Sequence, residues 1–191
     1  MILAGKIKDR GVKIKGLVTL KSFLIECEEA LALDTILRTS QNITPESYNT
    51  MIRRLEALCF VRQAQYQNLV VLTGRAVFAR LLAGDTTYSG AINYGALGTG
   101  TTAVAAANTQ LATEVARKVY ASRTQSSAQT TIDFYYSKAD TNGTYQEFGT
   151  FIDGTATANS GQMFNRVLTG GWTKSSAEAM TVSIQFDFND A

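Results

Sequence analysis

Histidine is absent from this sequence, and cysteine and proline are scarce. Histidine is the commonest general base and the commonest ligand for transition metals, so either chemistry would need other side chains. The two cysteines, Cys27 and Cys59, stand too far apart for a zinc-binding motif. No serine or cysteine lies in a nucleophile-elbow motif. We therefore assign no catalytic, cofactor-binding or metal-binding residue from the sequence.

Long apolar runs are also missing from the chain. No segment approaches the ~20 apolar residues that a membrane-spanning helix needs. The first residues do not resemble a signal peptide, because Lys6 follows closely on Met1. We expect a protein made in a reducing cytoplasm, with Cys27 and Cys59 as buried free thiols, and a disulfide between them is the alternative.

The charge of the 191-residue chain is nearly balanced, with 18 basic and 16 acidic side chains. The densest basic stretch lies at the N-terminus. Such a stretch could be an arm that touches nucleic acid or an acidic protein surface. A solvated strand with lysines on its outer face is the simpler interpretation, and we favour it. The basic residues concerned are Lys6, Lys8, Arg10, Lys13 and Lys15.

The N-terminal part of the chain mixes strand and helix signals. Alternating apolar residues predict a strand over residues 12–21, in which Gly16 marks a bulge. Apolar spacing favours a helix over residues 22–38. A clearer helix signal follows, because Thr44 is a good N-cap and Pro45 suits the first helical position.

Together, residues 22–58 are expected to form a helical hairpin, inserted ahead of the β-rich part of the chain. Strand character returns over residues 60–72. Thr73 then predicts the cap of a short helix, placed at residues 73–84, and Gly84 ends it.

From residue 86 onward the pattern is mostly β, with Asn142 and Gly143 as the strongest hairpin signal. We predict a single domain, residues 1–191, that is mainly β. Its fold is an antiparallel β-sandwich over residues 60–188, with two or three helices in the N-terminal half; a partly closed barrel is the alternative. The candidate strands are residues 92–98, 117–123, 130–137, 145–153, 162–169 and 181–188.

A run rich in glycine and threonine, residues 92–102, invites a nucleotide-binding interpretation. Gly95, Gly98 and Gly100 could bring backbone amides to a phosphate at a helix N-terminus. A P-loop needs a lysine where Thr101 stands, and the dinucleotide motif needs the opposite order of glycines. We favour a tight exit from a strand, in which small residues let neighbouring backbone approach closely.

The acidic residues on the predicted strands do not form a paired-carboxylate site, and we expect them to be solvated. Glu114 is expected to make a local ion pair at a turn with Arg117 or Lys118. The carboxylates considered as pairs are Asp133 with Asp153 and Glu114 with Glu147.

Trp172, the only tryptophan, follows two glycines. It could be displayed in a loop as a binding anchor. We favour the alternative, in which the indole closes the sandwich core, because aromatic side chains are mostly buried in small β domains.

Several short motifs follow one another from residue 68 onward. Residues 68–75 are Asn-Leu-Val-Val-Leu-Thr-Gly-Arg, and they lead into the short helix. Residues 92–102 are Ile-Asn-Tyr-Gly-Ala-Leu-Gly-Thr-Gly-Thr-Thr. The later members of the series are residues 111–118, 146–151, 163–167 and 172–174.

In the order of these motifs the chain resembles a widespread group of small virion proteins of tailed bacteriophages and prophages, of the tail, neck or tail-fibre-like kind. The resemblance covers about residues 60–188. That group usually connects its first strand to the Asn-Leu-Val-Val strand by a short link. Here residues 22–58 intervene, and we interpret them as a docking element.

The resemblance implies a non-enzymatic structural protein of the virion, assembled in the bacterial host cytoplasm. Its expected partners are portal, neck, tail or baseplate proteins and further copies of itself, because repeated contacts usually close into symmetric oligomers. No cofactor, small-molecule substrate or membrane is implied, and nucleic acid is not an expected partner.

Three alternatives stay open. A capsid-decorating or head-fibre protein would assemble in the same way on another part of the virion. A carbohydrate- or receptor-binding module would need Trp172 and nearby tyrosines to be exposed. A nucleotide-dependent enzyme would need the glycine run to hold a phosphate.

Overall fold

The computed structural model describes residues 14–40 and 43–188, and they form ten strands and three helices. The helices are α1 (Glu28–Thr39), α2 (Pro45–Cys59) and α3 (Leu72–Leu82). The strands are β1 (Lys15–Leu24), β2 (Phe60–Gln67), β3 (Leu69–Val70), β4 (Ile92–Gly98), β5 (Glu114–Val119), β6 (Ser122–Ser126), β7 (Gln129–Tyr136), β8 (Gly143–Ile152), β9 (Gln162–Lys174) and β10 (Glu178–Asp187).

The strands form two five-stranded antiparallel sheets. Sheet A has the order β2-β1-β10-β7-β6, and sheet B has the order β3-β9-β8-β4-β5. Alternate residues of β10, Val182, Ile184 and Phe186, are buried in the main core. Phe134 of sheet A meets Phe148 of sheet B edge to face, with ring centroids 5.8 Å apart. The predicted antiparallel β-sandwich with N-terminal helices is therefore confirmed.

The helices α1 and α2 pack on the outer face of sheet A, where Leu37, Ile52 and Leu55 form a second buried cluster with Phe23 and Tyr135. The start of α2 is as predicted. The Thr44 hydroxyl accepts a hydrogen bond from the Ser47 amide at 3.2 Å, and Pro45 is the first helical residue.

The prediction of a helix from residue 22 is wrong at its start. Residues 22–24 continue β1, in which Phe23 lies opposite Ala179 of β10. The helix begins at Glu28, and the Cys27 sulfur caps it by accepting from the Ala30 amide at 3.4 Å. Local apolar spacing fitted a helix here, but pairing with β10 keeps these residues extended.

The cysteines were predicted to be buried free thiols, and the prediction of their burial is wrong. Both cysteines are free, but Cys27 is exposed and Cys59 is only half-buried. Cys27 is exposed because it stands at the N-cap of α1 rather than on the buried side of a helix.

The helix α3 starts two residues earlier than a cap at Thr73 would place it, because its first residue is Leu72 rather than Gly74. Thr73 lies inside the helix, and its hydroxyl donates to the Met163 carbonyl of β9 at 2.7 Å. Val71 occupies the N-cap position without a side-chain hydrogen bond. Gly84, at a φ of 79°, follows the helix as predicted.

The predicted strand over residues 117–123 is two strands in two sheets. β5 ends at Val119 in sheet B, and β6 begins at Ser122 in sheet A. At the crossing, the Tyr120 amide donates to the Asn93 carbonyl and the Ala121 amide donates to the Asp133 carbonyl. The apolar pattern is continuous across this step, so it could not locate the change of sheet.

The predicted hairpin at Asn142 and Gly143 is also wrong. The flanking strands β7 and β8 belong to different sheets, so this segment connects the two layers. A tight turn instead joins β6 to β7, where Ser126 pairs with Gln129 and Ser127 has a φ of 53°.

Gly16 does not mark a bulge, because its pairing with Phe186 is regular. It makes room for Asn68, since a β-carbon built at Gly16 would lie 1.8 Å from the Asn68 Oδ1 atom. The register shift between β1 and β2 lies further along, between Ser22 and Phe23.

Two further sequence hypotheses concern the basic N-terminal stretch and the lack of a membrane-spanning helix. Lys6, Lys8, Arg10 and Lys13 lie outside the described residues, while Lys15 begins β1 and is exposed. Among the described residues, no helix combines the length and apolar character that crossing a membrane would require.

Candidate functional site

The glycine-threonine run begins within sheet B and continues into the loop that covers the outer face of this sheet. Its first part is β4, and its second part begins a loop over residues 99–113. A β-carbon at Gly98 would lie 2.5 Å from the Thr113 carbonyl oxygen, and one at Gly100 would lie 2.5 Å from Glu147 Oε1. The predicted close approach of neighbouring backbone is therefore confirmed at Gly98, whereas Gly100 makes room for side-chain atoms of Ala112 and Glu147.

Three backbone amides of this loop converge on one carboxylate, that of Glu147 in β8. Glu147 Oε1 accepts from the amides of Thr113 at 2.8 Å and Gly100 at 3.1 Å. Glu147 Oε2 accepts from the Ala112 amide at 3.1 Å. Converging amides of this kind make an anion-binding concavity. Here the anion is part of the chain.

Arg166 of β9 completes the arrangement around Glu147. Its Nε and Nη2 atoms both lie 2.7 Å from Glu147 Oε2. The guanidinium also donates into the same loop, from Nη2 to the Thr102 carbonyl at 3.0 Å and from Nη1 to Asn108 Oδ1 at 3.0 Å. The Glu147 and Arg166 side chains are 0% and 1% exposed. Each buried charge thus has several hydrogen-bond partners, as buried ions require.

Glu147 was expected to be solvated, and that prediction is wrong. Side chains alternate between the two faces of a strand, so Glu147 lies on the opposite face of β8 from the buried Phe148. Alternation alone therefore predicts that Glu147 faces solvent. The loop over residues 99–113 covers that face, with Leu111 buried against Phe151. No local signal in the sequence predicts this cover, although Gly98 and Gly100 both lie against the Glu147 side chain.

The predicted ion pair of Glu114 is confirmed, and Arg117 is its partner. Arg117 Nε lies 2.6 Å from Glu114 Oε1, and both side chains are under 5% exposed. Arg117 also donates to the Thr155 carbonyl at 2.8 Å and to Ser160 Oγ at 2.7 Å. The pair lies on strand β5 rather than at a turn, and it fastens the loop between β8 and β9.

Trp172 is 6% exposed and belongs to the main core, as we favoured. The Arg62 guanidinium lies over its ring, 4.7 Å from the centroid. A buried indole cannot act as an exposed stacking platform for a ligand.

The carboxylates Asp133 and Asp153 are not brought together. Asp133 lies on β7 of sheet A and accepts from the Ser183 hydroxyl. Asp153 follows β8 of sheet B, and its Oδ2 accepts from the Ser89 amide at 2.8 Å. Asp133 is 7% exposed, so it too departs from the expectation of a solvated carboxylate. The described residues contain no cluster of His, Cys, Asp or Glu that could hold a metal ion.

Each sheet has two edge strands, and among the described residues each edge strand pairs with a single neighbouring strand. One side of the sandwich, which we call the β2/β3 side, carries the edges β2 and β3. The other, the β5/β6 side, carries the edges β5 and β6. Edge strands present unpaired backbone donors and acceptors to any strand that approaches.

Both sides also expose large apolar side chains. On the β2/β3 side, Phe60 is 47% exposed and Val61 is 44% exposed. On the β5/β6 side, Val115 is 43% exposed and Val119 is 54% exposed. Exposed apolar groups beside unpaired strand edges are typical of surfaces that associate with another protein.

An apolar cavity of about 740 Å³ opens beside α3 at one end of the sandwich. Phe78, Leu81 and Phe188 are among its lining residues, and Arg123 is its charged member. Leu82, which also lines it, is 91% exposed. This end of the molecule therefore adds a third apolar surface.

Comparisons of the chain with protein-family models, curated proteins and solved structures find no match.

Proposed function

We propose that this protein is a non-enzymatic structural component of a tailed-bacteriophage virion, in the tail, neck or fibre apparatus. It acts by assembly with neighbouring virion subunits. The virion context of this proposal rests on the order of motifs over residues 60–188. The observation that supports assembly is the pair of open, partly apolar sides of the sandwich, the β2/β3 side and the β5/β6 side.

The two sides differ in their strands and side chains, so a contact between them is a head-to-tail contact. Contacts of this kind generate a ring when the rotation closes and a filament when it does not. Backbone hydrogen bonds between edge strands would supply part of the affinity, and the apolar side chains would supply more. A ring or a short stack of rings suits a neck or tail component.

The amide cluster of the glycine-threonine run supports a structural role in preference to an enzyme that binds nucleotides. A phosphate would have to displace Glu147, which already uses three amides and a buried arginine. The burial of Trp172 also removes the exposed anchor that a carbohydrate-binding module would need.

The test is to purify particles of the phage or prophage that encodes the chain. Quantitative mass spectrometry should find the chain at a fixed copy number per particle, in a ratio to the portal protein that does not change between preparations. A reconstruction of the particle should place it at the portal-tail vertex.

Density on the capsid faces would instead support a capsid-decorating or head-fibre protein. Absence of the chain from particles that contain their full set of structural proteins would refute the virion proposal.

A further inference from the structure

The start of β8 places an asparagine-glycine pair, Asn142 and Gly143, beside a buried lysine. Asn142 is exposed in the segment that connects the two sheets, and Gly143 is the first residue of β8. Gly143 lies opposite Lys174, the last residue of β9. The proposed function uses none of these three residues.

Lys174 directs its charge at the side-chain amide of Asn142. Lys174 is 1% exposed, and its ammonium nitrogen lies 2.7 Å from Asn142 Oδ1, its hydrogen-bond partner within the described part of the chain. Burial lowers the pKa of Lys174, because the charged form is poorly solvated. Three carboxylates oppose that shift, those of Asp140, Asp34 and Glu178. The contact that Lys174 makes is nevertheless with a neutral carbonyl oxygen.

The backbone around Gly143 leaves the Asn142 side chain open to attack. A β-carbon built at Gly143 would meet no heavy atom within 4 Å, so the space beside its amide is open. Its φ of 152° is a conformation that favours glycine. The ladder between β8 and β9 begins at Gly143, and the end of a ladder opens at little cost in free energy. The Gly143 amide nitrogen can therefore approach the side chain that precedes it.

We propose that Asn142 is a site of spontaneous deamidation and that Lys174 accelerates the reaction. The Gly143 amide nitrogen attacks Cγ of Asn142 and loses its proton. The Asn142 side-chain nitrogen gains a proton and leaves as ammonia, and a five-membered succinimide ring remains. Water then opens the ring, adding a hydroxyl to one carbonyl carbon and a proton to the ring nitrogen. The product is aspartate or isoaspartate at position 142.

Lys174 lies where the reaction develops negative charge. As the nitrogen attacks Cγ, the carbonyl oxygen Oδ1 becomes an oxyanion. A donor about 2.7–3.1 Å from that oxygen stabilises the transition state, most strongly where water is excluded. The Lys174 ammonium group meets both conditions. Once aspartate has formed, its carboxylate supplies the buried ammonium with a counter-charge that the amide lacked.

The test is to incubate the full chain at neutral pH for several days and to map its peptides by mass spectrometry. Aspartate and isoaspartate should accumulate at position 142 in the folded wild type. Lys174→Met should slow this conversion by roughly tenfold or more, because the oxyanion loses its donor. In urea the two proteins should react at equal rates, since Lys174 is then no longer held beside residue 142.

Further variants separate the contact from general effects on charge and stability. Lys138→Met removes a lysine from the same connecting segment but keeps the contact between Lys174 and Asn142, and its rate should equal that of the wild type. Lys174→Gln keeps a neutral donor of similar length, so it should be slowed less than Lys174→Met. Circular dichroism checks that each variant is folded. If Lys174→Met does not fold, Lys174→Gln should still react more slowly than the wild type.

The absence of aspartate and isoaspartate at position 142 of the folded wild type would overturn the proposal. Equal rates in the folded wild type and the folded Lys174 variants would overturn it as well, as would an equal slowing by Lys138→Met. A peptide in which Lys174 is joined covalently to residue 142 would show that the lysine is the attacking group, and it too would contradict the proposal. Because the reaction is followed in the isolated chain, its outcome does not depend on the virion proposal.

Discussion

At the scale of single residues, the most informative group is Glu147 with Arg166. Glu147 Oε2 accepts from both Arg166 and the Ala112 amide, while Oε1 accepts from two more amides. The pair joins β8 and β9 to the loop over residues 99–113. A glycine-rich run that resembles a phosphate-binding loop is thus part of the scaffold of sheet B.

Glu147→Gln should lower the free energy of unfolding by about 3 kcal/mol, because it leaves the buried guanidinium of Arg166 without its counter-charge. Urea unfolding measures this change. Asp85→Asn is the matched control, since Asp85 pairs with Arg80 at the exposed surface, and its stability should stay close to that of the wild type. Equal effects of the two substitutions would contradict the structural role of Glu147.

Asp133 gives a prediction about pH. Burial raises its pKa above the ordinary value of 3.8, so the folded state binds this proton more tightly than the unfolded state. The stability that this group contributes is present at low pH, and it is lost as pH rises from 3.8 through the folded-state pKa.

Asp133→Asn should remove the loss of stability that accompanies ionisation of this buried carboxyl group. The variant should therefore gain stability relative to the wild type as pH increases through that window. Urea unfolding of both proteins at intervals between about pH 4 and 7 measures the difference. Parallel stability curves would show that Asp133 titrates normally in the folded protein.

At the scale of secondary-structure elements, one polar contact fixes α1 to sheet A. Asp34 of α1 is 2% exposed and accepts from the Tyr135 hydroxyl at 2.7 Å and from the Lys138 amide at 3.2 Å. Burial and the neighbouring Asp34 carboxylate raise the pKa of Tyr135, so its hydroxyl remains a donor at neutral pH. Apolar contacts supply the rest of the attachment of α1 and α2.

Tyr135→Phe should destabilise this attachment by about 1–3 kcal/mol, because Asp34 keeps its burial but loses a donor. Hydrogen exchange should accelerate in α1 and α2 more than in β10, which lies in the middle of sheet A. Tyr66→Phe, at a half-exposed position, is the control and should leave exchange unchanged. Uniform acceleration over all strands would indicate that the helices unfold only with the whole sandwich.

At the scale of the whole molecule, the arrangement of edges determines what the protein can assemble into. The β2/β3 side and the β5/β6 side are both open among the described residues, and each exposes apolar side chains. Val61→Lys and Val119→Lys should each reduce self-association, since a desolvated lysine at such a contact is unfavourable.

Sedimentation analysis against concentration measures this prediction. We expect the wild type to sediment as a multiple of the 20.7 kDa chain. The double variant, which carries both Val61→Lys and Val119→Lys, should sediment as a monomer. Ala156→Lys, in the exposed loop between β8 and β9, should keep the wild-type mass. A double variant that retains the wild-type mass would place the subunit contact elsewhere, with the apolar surface beside α3 as the next candidate.

Several elements could be predicted from local sequence. Thr44 and Pro45 locate the start of α2, because a cap and a fixed proline φ act within one turn. Alternation locates β10, because a half-buried strand has a period of two residues. These signals depend only on near neighbours along the chain.

The sequence by itself determined the class of fold and the positions of most strands, and it favoured the burial of Trp172 over an exposed position. Only the tertiary structure decided which strands share a sheet, which is why residues 117–123 divide between two layers and Asn142 and Gly143 join them. It also decided that Glu147 is buried, because a loop closed over the outer face of sheet B. The assignment of strands to sheets and the burial of Glu147 under a loop both depend on contacts between residues far apart in sequence. A local period or spacing of apolar residues carries no information about such contacts.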